Sequence, residues 1–137
     1  MSGRKSSFFV LVLITLASRL IPHPPNFTAL ISFAIFAGFF YSRQTSMLWC
    51  GCLLIFSDLL LAYYSDFPIW GDWSFFTYTG TLLVSGLSAC TLAKKHNLLC
   101  FASLSLSFWL WTNVGVWLCT NLYEKTAEGL LACLSAA

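Results

Sequence analysis

Charge is what this sequence has least of. Only 9% of its 137 residues are Asp, Glu, Lys or Arg, where a soluble domain carries roughly a quarter. A surface built from so few charges would be sticky in water, and lipid is the natural solvent for it. The net charge of +2, with no basic stripe, excludes nucleic acid as a partner. Histidine is scarce as well, with only His23 and His96. No His stands near Cys50-Gly-Cys52, whose single intervening residue does not match a zinc spacing. All six cysteines lie in or beside apolar runs, where Cys acts as a small hydrophobe. There is no nucleophile–base arrangement, no HExxH and no phosphate-binding glycine loop. The reading is therefore not an enzyme, with no cofactor and no metal. Any use of ATP would come from a partner.

Apolar and aromatic residues fill the space that charge leaves. They make up 58% and 18% of the chain, and the mean hydropathy is +0.79. Five apolar runs follow one another, at 8–21, 27–41, 47–64, 74–92 and 98–119. They predict an all-α fold: a polytopic transmembrane helix bundle with five spans, forming a single integral membrane domain over 1–137. The tail, 120–137, is too short to cross back and is expected to be re-entrant or interfacial. The first run has a second reading as a cleaved signal, with Thr15-Leu-Ala17 before the cut. Cleavage would strand Arg19 at a free N-terminus, and the helix is the preferred reading.

Loop charge orients the bundle. With the N-terminus cytoplasmic, the inner segments hold Arg4, Lys5, Arg43, Lys94 and Lys95 and no acid. The outer segments hold Arg19 and Lys125 with Asp66, Asp72, Glu124 and Glu128. This is the positive-inside pattern, and it predicts a multi-pass protein of a cytoplasmic membrane with the lipid bilayer as its first partner.

Polar residues inside such a bundle are costly and informative. Arg19-Leu-Ile-Pro-His-Pro-Pro-Asn-Phe-Thr28 is a rigid polar elbow, because its prolines fix φ and remove backbone donors. Asp58 is the one charge left at membrane depth, and it must be paired, protonated or beside water. Arg19, at the outer end of the first span, is its expected partner, either as a structural clamp or as part of a site. Thr77, Gly80, Thr81, Val84, Ser85 and Ser88 form one small, hydroxyl-bearing stripe on the fourth span, fit for helix packing or for lining a cavity. Ser105, Trp109, Asn113 and Trp117 recur every four residues on the fifth. Two indoles around one amide suit a small ring-bearing solute; an interfacial Trp and a packed Asn would explain them equally. The candidate substrate-binding set is Arg19, His23, Asn26, Asp58, Trp109, Asn113 and Trp117. Its members concentrate in the outer half, under a loop carrying Trp70 and Trp73.

Beyond these patterns, the elbow, Ser57-Asp58, Thr112-Asn-Val-Gly-Val-Trp117 and Tyr123-x-x-Thr126-x-x-Gly129-Leu130 resemble an uncharacterised bacterial family of transport proteins. That family is similar to the substrate-binding S components of energy-coupling factor transporters. The resemblance covers nearly the whole chain. It implies an inner-membrane bundle of six helices, an outward-facing site for a small-molecule solute, and docking onto a shared ATPase-driven coupling module. Two departures stand out. Glu124 occupies a position where the family has proline, and the family's last transmembrane helix has no counterpart here. The reading from sequence is a small-solute binding and transport component, with a structural or assembly membrane protein as the alternative.

Overall fold

The computed structural model describes residues 2–21, 29–65, 68–91 and 98–136, and every element among them is helical. There are six helices: α1 (Ser2–Leu20), α2 (Leu30–Phe40), α3 (Arg43–Ser65), α4 (Ser74–Thr91), α5 (Leu98–Cys119) and α6 (Ala127–Ser135). No strand occurs among the described residues. His23 and Asn26 of the elbow, Asp66, and the basic loop with Lys94 and Lys95 lie outside them.

Two helices, α3 and α5, are long and apolar enough to cross a membrane. At about 1.5 Å per residue they measure roughly 33–35 Å, against a hydrocarbon core of about 30 Å. The other three expected spans differ, each for its own reason. The expected second span, 27–41, is an 11-residue helix that reaches only about 16 Å. In α1, which starts at Ser2 rather than near residue 8, the apolar part is Ser6–Leu20. In α4 the stripe of Thr, Ser and Gly dilutes the apolar side chains.

Short as it is, α2 is the centre of the molecule. Leu30, Phe33, Ala34, Ile35, Ala37 and Gly38 are all buried, and α2 packs against α1, α3, α4 and α5. Successive helices from α1 to α5 run in alternating directions. At one end Phe8 of α1 meets Phe40, Tyr41 and Trp49 at the close of α2 and the start of α3. At the other, the Ala29 amide donates to Ser18 Oγ at 3.1 Å, fastening the start of α2 to the last turn of α1. α5 returns antiparallel to α4, with Gly115 against the Phe76 ring and Gly80 against Phe108 and Trp111.

The hydroxyl stripe of α4 is a packing surface. Thr81, Val84, Ser85 and Ser88 are buried, and the α2–α4 contact is the tightest crossing they make. A Cβ added at Gly38 would come within 2.6 Å of the Ser85 carbonyl oxygen and 2.8 Å of the Ala89 amide nitrogen. Small residues let the two backbones approach this closely. Ser85 Oγ is buried with no partner among the described residues, while two of the other hydroxyls are satisfied within their own helix: Thr81 donates to Thr77 O at 2.7 Å and Ser88 to Ser85 O at 2.9 Å. Such back-bonding is how Ser and Thr enter a dry helix interface without an orphaned donor.

Candidate functional site

The polar residues at the Arg19 end of the bundle fall into two groups, one on each side of α4. The first joins three helices. Arg19, in the last turn of α1, forms an ion pair with Asp58 Oδ1 on α3. Tyr78, near the start of α4, donates its hydroxyl to the other carboxylate oxygen, Asp58 Oδ2, at 2.7 Å. Trp70, in the segment before α4, stacks on the Tyr78 ring with centroids 5.3 Å apart and planes 22° apart. Arg19 and Asp58 side chains are each 13% exposed, so this is a largely desolvated pair, while Trp70 is 65% exposed. The loop is held by a reciprocal turn: Ser74 N donates to Gly71 O and Gly71 N to Ser74 Oγ, both at 2.9 Å.

Each helix delivers its member for a local reason. Arg19 ends α1 where a cation complements the unpaired carbonyls of the last turn. Ser57, next to Asp58, is fully buried and bonds back to Leu54 O at 2.9 Å. This packed neighbour fixes the rotation of α3. On α4, Tyr78 and Phe76 are two residues apart, about 200° around the helix. Tyr78 therefore faces α3 while Phe76 faces α5 and touches Trp111 and Gly115.

The second group fastens α6. Asn113 is buried; its Nδ2 donates to Trp109 O at 2.7 Å, and its backbone carbonyl accepts from Cys133 Sγ of α6 at 3.4 Å. Trp117 Nε1 donates to the Glu124 carbonyl at 2.8 Å. The Lys125 ammonium sits 5.9 Å from the Trp117 ring centroid and bonds the carbonyls of Trp117 and Thr120 at the end of α5. Thr126 caps α6 by accepting from Gly129 N at 3.1 Å. Gly129 itself is pressed against the Glu124 backbone, 2.9 Å from its carbonyl carbon for an added Cβ. The spacing Tyr123-x-x-Thr126-x-x-Gly129 thus encodes a capped turn. Burial holds the Cys133 thiol above the ordinary thiol range, against the opposing pull of the Trp117 backbone and of the Lys125 charge.

The structure brings Arg19 and Asp58 together, and it adds Tyr78 and Trp70. It does not bring them to Trp109, Asn113 and Trp117: among the described residues α5 contacts α2, α4 and α6 but neither α1 nor α3. His23 and Asn26 lie outside the described residues. The sequence signal for Tyr78 was slight. It stands directly after Thr77 of the hydroxyl stripe but on a different face of α4, toward Asp58.

No curated protein and no solved structure matches the chain. A family model does, over residues 2–137, and it is described as a family of unknown function, DUF6580. On that match, covering nearly every residue, the chain belongs to the DUF6580 family.

Proposed function

We propose that this protein is a multi-pass membrane component that binds a small solute at the end of the bundle where α1 and α3 finish and α4 begins, and takes part in its transport. The observation that carries the reading is the Arg19–Asp58–Tyr78 cluster with Trp70 over it. It is a charged and aromatic constellation in a chain that is otherwise charge-poor, at the mouth of three helices. Under the five-span topology, with the N-terminus cytoplasmic, that end faces outward. The resemblance to S components adds an expectation of an inner membrane and an ATPase-driven coupling partner. Asn113 and Trp117 enter this reading as the fastening of α6 rather than as solute contacts, since their hydrogen bonds are spent on Trp109, Cys133 and Glu124.

The same cluster favours a second reading. One ion pair and one phenol tie three helices together, which is also what a purely structural clamp would do. One experiment separates the two. The protein is purified from membranes, and the small molecules and subunits that accompany it are identified by mass spectrometry, for the wild type and for Trp70→Ala. Trp70 is mostly exposed and outside the ion pair, so this change spares the clamp. A small molecule carried by the wild type and lost from Trp70→Ala at equal membrane insertion supports solute binding. Identical, ligand-free preparations with unchanged thermal stability favour the clamp.

A further inference from the structure

The ion pair is only half made on the arginine side. A guanidinium presents paired donors that match the two oxygens of a carboxylate or phosphate, and Arg–carboxylate pairs commonly use both. Here one terminal nitrogen of Arg19 holds Asp58 Oδ1, while Oδ2 is taken by the Tyr78 hydroxyl. Arg19 Nε–H is left buried with no acceptor among the described residues. Tyr78 has in effect drawn the carboxylate off the second prong of the fork. A buried charged donor without an acceptor is a standing cost that any correctly placed oxygen would remove. No second acid among the described residues makes an ion pair with Arg19. An incoming group with two oxygens could occupy the whole edge and leave Asp58 to Tyr78.

We infer that Arg19 is the recognition point for an oxyanion, a carboxylate or phosphate group, and that Asp58 is its internal competitor, kept weak by Tyr78. The aromatic surface of Trp70 over Tyr78 places an apolar or ring-bearing remainder beside the charged group. This rests on the proposed binding reading and adds the chemical class of the ligand. Two sources supply such a group at the end of a membrane helix: a free anionic solute and the headgroup of a phospholipid.

The test uses the full chain in phosphate-free maltoside micelles, following tryptophan fluorescence and thermal stability. The probes are benzoate, its neutral isostere benzamide, inorganic phosphate, and short-chain phosphatidylglycerol. A response to benzoate or phosphate identifies a free solute anion as the source; a response to phosphatidylglycerol alone identifies a headgroup. In either case Asp58→Asn is expected to bind the responding probe at about tenfold lower concentration, a factor equal to 1.4 kcal/mol. Arg19→Gln is expected to abolish the response, and benzamide to give none. Tyr78→Phe returns Oδ2 to the arginine and is expected to weaken binding several-fold. It carries the test alone if Asp58→Asn does not fold. The inference is overturned if Arg19→Gln binds as the wild type does, if Asp58→Asn or Tyr78→Phe shifts affinity the other way, or if no anionic probe binds at all. A neutral solute that co-purifies and survives Arg19→Gln would overturn it while leaving solute binding intact.

Discussion

Gly38→Ala tests whether the α2–α4 crossing is set by backbone contact. The new methyl would lie 2.6 Å from Ser85 O and 2.8 Å from Ala89 N, whereas ordinary contact begins near 3.4 Å, so the helices must part by about 0.8 Å. A gap of that size forfeits roughly a quarter to a half of the dispersion well for the atoms it separates. Those atoms include the fully buried Ala34, whose carbonyl accepts from Ser88 Oγ at 3.5 Å. Overpacking costs about 1–3 kcal/mol, and alanine returns up to about 1 kcal/mol of helix propensity. The net expectation is a loss of about 1–2 kcal/mol. Gly51→Ala is the internal control: its added methyl meets only Leu82 Cδ2, at 3.9 Å, and it should be neutral or slightly stabilising. Unfolding in mixed micelles with increasing SDS, followed by circular dichroism, measures both. Adding Ser88→Ala removes the nearest side-chain obstacle but leaves the two backbone atoms in place, so the double variant should stay destabilised. Equal stability of Gly38→Ala and Gly51→Ala, or full rescue by Ser88→Ala, would refute a backbone-limited crossing.

Two further outcomes concern the α5–α6 fastening. Thr126→Ala removes the N-cap of α6 and should cost about 1 kcal/mol, read as faster hydrogen exchange over residues 127–135 with α1–α5 unchanged; unaltered exchange would mean that the cap does not hold the helix. Cys133 should react with N-ethylmaleimide more slowly than the exposed Cys119, because burial first of all holds its thiol above the ordinary range. The folded state keeps that proton where the unfolded chain loses it, so α6 docking weakens as pH rises through the ordinary thiol range; exchange over 127–135 that slows with pH, after correction for intrinsic rates, would contradict the sign.

The five apolar runs were legible because hydropathy is a local property, and each became a helix. The Arg19–Asp58 pairing was legible too. A charge at membrane depth needs a partner, and Arg19 was the candidate at the matching end of a neighbouring run. What could not be read were quantities set by rotation about helix axes. Tyr78 and Phe76 differ by two positions and face opposite neighbours. Whether Trp117 met a solute or a loop depended on the path of the chain after Cys119, where Lys125 and Glu124 fold back on it. The length of α2 was hidden for another reason. A run of apolar residues states how much of a segment avoids water and not where its helix begins. Among the described residues α2 starts at Leu30 and ends at Phe40.

The position of α4 explains why a chain with so little charge can sustain two polar groups at one end. Had Asp58 and Asn113 shared a cavity, the carboxylate would have had amide and indole donors on offer, and Arg19 would have had rivals for it. With α4 between them, Asp58 has Arg19 and Tyr78 for its two oxygens, and the α5 groups are consumed by carbonyls of the backbone and of the turn that leads into α6. The helix that divides them can do so because its two faces differ in kind. Gly80 on one side lets Phe108 and Trp111 close over it, and the small hydroxyl residues let α2 approach to backbone contact. Tyr78 projects from the remaining arc. A phenol is suited to that place: it donates one hydrogen bond to a carboxylate without adding a second charge, and its ring gives Trp70 a flat surface. Replacing it by a cation would set a second positive group in competition with Arg19 for Asp58, whereas replacing it by an apolar residue would leave both oxygens to Arg19. The strength of the ion pair is therefore tuned from α4, at a residue that carries no charge.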